Sequence, residues 1–136
     1  MKLIELLHQK PDLILLDSTD NLVRSNLKHY KKLNPENIRI RLNHLFQTLV
    51  TCVETGSCNE MVTFMDKVSD ERFESGFEIH EVQTAINILE ESLWRNIGKF
   101  VDNDKQVNAM KEVTGILSKA KEEMANEYAM LSKELF

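Results

Sequence analysis

Apolar residues recur along the chain in steps of three and four, the spacing that places them on one face of an α-helix. No stretch shows the sustained alternation of apolar and polar residues that is typical of a half-buried strand. The pattern therefore predicts an all-α fold, a helical bundle in one domain covering residues 1–136. The predicted helices are 2–9, 12–33, 36–55, 58–75, 79–101 and 104–135.

Helix-start and helix-stop residues support these boundaries. Asn34, Pro35 and Glu36 form a strong helix start, because Asn caps the free N–H groups, Pro needs no N–H, and Glu favours the positive end of the helix dipole. Gly56 and Gly76 are expected to end the two helices that precede them, since glycine adopts the left-handed conformation without strain.

The last predicted helix is long, about 32 residues or roughly 48 Å. Its apolar positions follow a spacing close to that of a coiled coil, so we expect it to form a homodimer with a second copy of the chain. An alternative is that this stripe closes the domain's own core and leaves only the tip of the helix exposed. The residues assigned to the dimer face are Leu117, Met124, Leu131 and Leu135.

Composition places the chain among globular proteins, with 42% hydrophobic and 29% charged residues. No apolar run approaches the length of a membrane span, and the N-terminus lacks the pattern of a signal peptide. A net charge of −5 argues against nucleic-acid binding. Cys52 and Cys58 do not make a disulfide framework, so the expected location is a reducing cytoplasm.

Charge is unevenly distributed. Residues 24–41 hold six basic residues and one acidic residue, a net of +5, whereas residues 54–91 hold ten acidic and two basic residues, a net of −8. These segments are interpreted as two solvated helix faces, or as docking surfaces for a charged partner or a second copy of the chain.

Motifs for catalysis are missing from the sequence. It contains no glycine-rich phosphate loop, no Cys-x-x-Cys pair and no His-Glu-x-x-His zinc motif. We therefore expect no catalytic residue, no cofactor and no metal site, and interpret the chain as a protein other than an enzyme. Each histidine falls on a polar or mixed helix face, which disfavours a haem ligand. The four are His8, His29, His44 and His80.

A small apolar pocket is the alternative to a purely structural core. Such a pocket would bind a hydrophobic molecule or haem. The side chains assigned to it are Phe46, Phe64, Met65 and Val82.

Residues 70–95 read DERFESGFEIHEVQTAINILEESLWR, and residues 29–56 read HYKKLNPENIRIRLNHLFQTLVTCVETG. Together they resemble the N-terminal domains of bacterial RsbR-type stressosome co-antagonists over about residues 29–95. The motif residues are interpreted as structural, with Arg72 and Gly76 at a helix end, Phe77 folded back and Trp94 in the core. The resemblance rests on Arg72, Gly76, Phe77, Val82, Leu89, Glu90 and Trp94.

The resemblance implies a globin-like sensory domain without haem, usually a homodimer, that precedes an output module such as a STAS domain. No output domain precedes Phe136, so the chain is interpreted as a stand-alone form or an excised domain. The expected function is a non-enzymatic sensory or regulatory module in bacterial signal transduction and stress response. Two alternatives stay open: a small-ligand sensor globin, and an adaptor or scaffold that docks a protein partner by charge.

Overall fold

The computed structural model describes residues 1–134 and confirms the all-α fold with a long C-terminal helix. Within residues 1–134 there is no strand, and no helix is long and apolar enough to cross a lipid bilayer. The six helices are α1 (Leu3–Gln9), α2 (Pro11–Arg24), α3 (Pro35–Thr55), α4 (Asn59–Glu74), α5 (Ile79–Phe100) and α6 (Gln106–Glu134).

The predicted helix 12–33 is wrong in its second half, because α2 already ends at Arg24. The Ser25 hydroxyl donates to the carbonyl of Leu22 at 2.6 Å, and Asn26 has a φ of 56°. Asparagine adopts this left-handed conformation more readily than most residues, so the chain leaves the helix here. The connection to α3 contains a short 3₁₀ turn, Tyr30–Lys32. Tyr30 of this turn packs against Phe77, in the turn between α4 and α5.

The helices enclose one hydrophobic core. α6 packs mainly against α4 and α5, whereas α2 packs against α3 and α5, and α3 against α4. The core side chains follow the three- and four-residue spacing of the sequence, as Ile86, Leu89 and Leu93 of α5 illustrate with exposures of 2% or less. Burial of these stripes provides most of the stability of such a bundle.

The apolar face of α6 lies inside this core, so the predicted dimer face is wrong for two of its residues. Leu117 is fully buried and Met124 is 1% exposed. Leu131 is half-buried and lines a surface groove with Phe73 of α4, and Leu135 lies outside the described residues. α4 and α5 cover α6 as far as Tyr128, which is why the closed-core alternative describes this helix better.

Trp94 does not anchor the core as the sequence predicted. Its side chain is 39% exposed, and its indole N–H donates to the Thr114 hydroxyl at 3.1 Å. Trp94 immediately follows Leu93 of the buried stripe, and one residue further along a helix is a rotation of about 100°. That rotation carries the indole to the edge between α5 and α6.

We expect Trp94→Ala to lower the free energy of unfolding by about 1 kcal/mol, well below the roughly 3–5 kcal/mol of a fully buried tryptophan. Denaturant unfolding followed by circular dichroism measures this difference. Because Trp94 is the single tryptophan, iodide should also quench most of the protein's tryptophan fluorescence. A loss above 3 kcal/mol together with protection from iodide would contradict the exposed position.

Candidate functional site

The turn between α4 and α5 is the organising element of the candidate site. Gly76 has a φ of 88°, the left-handed conformation expected at a helix end. Its N–H donates to the carbonyl of Phe73 at 3.0 Å, and the N–H of Phe77 donates to the carbonyl of Arg72 at 2.9 Å. This pair of bonds is the Schellman motif. It folds Phe77 back into the core, where its side chain is 7% exposed.

Glu81 holds this turn to the loop that follows α2. Its carboxylate accepts the backbone N–H groups of His29 and Glu78, each at 2.8 Å, and contacts His29 Nδ1 at 2.7 Å. Burial alone would raise the pKa of this carboxyl, but the hydrogen bonds from His29 and Glu78 hold the pKa below its ordinary value. Glu81 is thus a buried carboxylate with a structural task.

His29 is fixed by this carboxylate. Its ring lies 5.1 Å from the ring of Phe77, and its side chain is only 14% exposed. A side chain at Gly76 would approach His29 Nε2 to 3.3 Å, so glycine also suits the available space there. The other three histidines, His8, His44 and His80, are exposed.

Two tyrosines contact the turn. Tyr30 meets the Phe77 ring edge-on at 5.0 Å, and the Tyr128 hydroxyl donates to the carbonyl of Phe77 at 2.9 Å. Burial raises the pKa of Tyr30, and burial likewise raises the pKa of Tyr128 to about 12. Both phenols therefore stay protonated at neutral pH.

Arg72 is the unusual residue of the site, because it is charged and only 8% exposed. Burial lowers the pKa of its guanidinium, whose carbon lies 5.6 Å from the centre of the Phe77 ring. Its Nη1 pairs with Glu71, whereas its Nε is buried with no hydrogen-bond partner among the described residues. A buried donor without an acceptor is costly, so a water molecule or a ligand oxygen beside this nitrogen would be stabilised.

An apolar cavity lies next to Arg72, between α3, α4 and α5. It has a volume of about 30 Å³, room for about two water molecules. Three of the four predicted pocket residues, Phe64, Met65 and Val82, line it, whereas Phe46 is fully buried in the core and is not among the lining residues. The lining side chains are Leu22, Tyr30, Arg41, Leu42, Leu45, Phe64, Met65, Val68, Arg72, Val82, Ala85 and Ile86.

The cavity adjoins an outer groove of about 340 Å³ between α3 and α4. Among its lining residues are three permanent cations and one carboxylate, namely Arg41, Lys67, Arg72 and Glu71. Four residues line both spaces: Arg41, Phe64, Val68 and Arg72. An apolar chamber therefore opens towards a basic surface, an arrangement suited to a molecule with an apolar body and an anionic group.

Sequence reasoning missed the polar half of this site. Arg41 is one of the six basic residues of segment 24–41, and neither its place beside the cavity nor that of Tyr30 was predicted. A usable signal exists for Arg41, because it follows Ile38 by three residues and precedes Leu42 on the buried side of α3. Arg72 was predicted to lie at the end of its helix, and it does. Its burial could not be predicted from the spacing of apolar residues.

A second polar cluster lies on the seam between α4 and α6. Oxygens of Asp66, Glu123 and Glu127 lie within 4.8 Å of one another. A hydrogen bond to Asp66 raises the pKa of Glu123, and burial together with Asp70 raises the pKa of Glu127. Three oxygen ligands at this spacing could hold a cation. Protons shared between the carboxyl groups account for the same short distances, so we assign no metal to this cluster.

The two cysteines show no sign of a reactive site. Both are free thiols, and Cys52 is buried. Burial raises the pKa of Cys52, which lowers the fraction of thiolate, the reactive form.

No protein-family model, no curated protein and no solved structure matches the chain. The resemblance to RsbR-type N-terminal domains, and with it the globin-like character of the fold, therefore stays a prediction. The case for a function rests on the cavity, the buried Arg72 beside it and the basic groove outside it.

Proposed function

We propose that the chain is a regulatory domain that responds to a small organic anion with an apolar tail, bound in the cavity between α3, α4 and α5. The observation behind the proposal is the buried Arg72, which has an unpartnered Nε and lines both the apolar chamber and the basic groove. The ligand's anionic group would accept hydrogen bonds from Arg72 and Arg41. Its tail would lie among Leu45, Phe64 and Met65.

Binding rather than catalysis is proposed because the polar groups at the cavity are poor acids, bases and nucleophiles at neutral pH. Burial raises the pKa of Tyr30, so its phenol stays protonated. Arginine side chains likewise keep their proton in proteins and have no acceptor. Arg41 and Arg72 are therefore suited to orienting an anion.

The regulatory role is the part of the proposal that the sequence resemblance supports. A module of this kind would report ligand binding through the arrangement of its helices. Homodimer formation remains a proposal as well, with its face outside the buried stripe of α6. The exposed large apolar side chains available for such a face include Leu13, Leu16, Val23, Ile40, Trp94, Val107 and Met130.

Calorimetric titration with octanoate and with octanol tests the proposal, because the two probes share a chain length and differ in charge. We expect octanoate to bind at least about tenfold more tightly, since hydrogen bonds to a charged partner contribute about 1.5–3 kcal/mol each. Arg72→Met should reduce this preference, because Arg41 then binds the anion without Arg72. Arg24→Met, a substitution of an exposed arginine at the end of α2, should preserve it.

Two outcomes would overturn the proposal. One is that the wild-type chain binds neither probe. The other is that Arg72→Met folds normally, as circular dichroism shows, and still prefers octanoate as strongly as the wild type does.

A further inference from the structure

Glu71 lies in the outer groove at the position where a ligand's anionic group is expected. Its Oε1 is 3.5 Å from Nη1 of Arg41 on α3, and its Oε2 pairs with Nη1 of Arg72 on α4. It is the one carboxylate among the described residues that line this groove. One side chain thus engages both arginines that the proposed function assigns to the ligand.

We propose that Glu71 is a built-in competitor of the ligand, which neutralises the two arginines in the free domain and is displaced when an external carboxylate binds. This inference rests on the proposed function and adds a regulatory element to the same site. The reason is chemical identity: a glutamate side chain and an organic carboxylate offer the same acceptor oxygens to the same guanidinium donors. While Glu71 holds Nη1 of each arginine, those two donors are closed to an external carboxylate, which then has only the remaining guanidinium N–H groups to bind.

The contact also spans two helices. Arg41 belongs to α3 and Glu71 to α4, and the cavity lies beneath the groove they line. The cavity volume of about 30 Å³ is too small for an aliphatic chain. A ligand tail can therefore enter only when the helices around the cavity move apart, and release of the Arg41–Glu71 contact removes one restraint on α3 and α4. Displacement of Glu71 thereby links ligand binding to a change in helix packing.

The strength of this competition is modest. The side chain of Glu71 is 48% exposed and that of Arg41 is 24% exposed. Exposed ion pairs contribute little, so Glu71 restrains the site without blocking it. A weak restraint is what a reversible response requires, because a ligand of ordinary affinity can then displace it.

The test compares Glu71→Gln with the wild type and with Glu74→Gln. Glu74 is also an exposed residue of α4 but does not line the groove, which makes it a matched control. We expect Glu71→Gln to tighten octanoate binding about threefold, as removal of an exposed ion pair allows. Octanol has no carboxylate to compete with Glu71, so we expect Glu71→Gln to tighten octanol binding less than octanoate binding, and Glu74→Gln should bind octanoate like the wild type.

The outcomes separate the two proposals. Wild-type binding of octanoate with unchanged or weaker binding by Glu71→Gln would overturn the competitor role and leave the proposed function standing. If Glu71→Gln and Glu74→Gln tighten octanoate binding equally, the effect comes from the net charge of the protein. That result would also overturn the competitor role. Absence of octanoate binding in the wild type and in Glu71→Gln would overturn both proposals.

Discussion

Met124→Glu is expected to unfold the domain or to lower its free energy of unfolding by more than about 3 kcal/mol. Met124 is 1% exposed within a single chain, on the face of α6 that packs into the core. Loss of the methionine alone would cost about 2–5 kcal/mol, and a buried carboxylate without a partner adds to that cost. Thermal unfolding followed by circular dichroism, with light scattering for the mass, measures the effect.

Met130→Glu is the matched control, because it makes the same exchange on the same helix at a position that is 53% exposed. We expect it to change the free energy of unfolding by no more than about 0.5 kcal/mol. A Met124→Glu variant that is stably folded, with half the mass of the wild type, would contradict the closed core. Such a result would instead place Met124 on a surface between two chains.

Glu81→Ala is expected to lower the free energy of unfolding by about 3 kcal/mol. The carboxylate accepts two backbone N–H groups and contacts the His29 ring, and it is 1% exposed. Each such hydrogen bond to a charged group contributes about 1.5–3 kcal/mol, and the N–H groups of His29 and Glu78 lose their acceptor. Glu91→Ala, on the exposed face of the same helix, should have little effect.

The effect of Glu81 should also depend on pH. The pKa of Glu81 lies below the ordinary glutamate value of 4.5, so the folded state binds its proton less readily than the unfolded state does. Its stabilisation is therefore fully present above that ordinary value and is lost as pH falls through the lower pKa of the folded state. Unfolding measured at neutral and acidic pH should show a difference between wild type and Glu81→Ala that shrinks in acid. A difference that stays constant would contradict the role of the carboxylate charge.

Helix spacing predicted the parts of the fold that local sequence controls. α3 begins and ends where Asn34 and Gly56 indicate, because their capping geometry is a local property: Asn34 accepts the Asn37 N–H at 2.8 Å, and Gly56 has a φ of 69°. Asn26 gives a local reason for α2 to end, but the path of the chain between α2 and α3 was not predictable in this way. Residues 25–33 contain good helix formers, and their non-helical path depends on distant contacts such as the one between His29 and Glu81.

The candidate site was predictable only in its apolar half. Phe64, Met65 and Val82 follow the buried spacing of α4 and α5, so periodicity brought them together. Periodicity could not show that Arg72 is buried, because an arginine in a sequence defaults to solvent unless its neighbours in space are known. Trp94 was misplaced for the same reason. A large aromatic side chain at the edge of a buried stripe can face either the core or the solvent, and the sequence does not show which.

The methionine methyl groups would report directly on an organic anion whose apolar tail is bound in the cavity beside Arg72. Met65 lines the cavity, whereas Met130 is exposed on α6. In a carbon-13 methyl NMR spectrum of methionine-labelled protein, octanoate is expected to shift the Met65 signal in a saturable manner and to leave the Met130 signal in place. Saturable octanoate binding with an unmoved Met65 signal would place the ligand elsewhere and contradict the account.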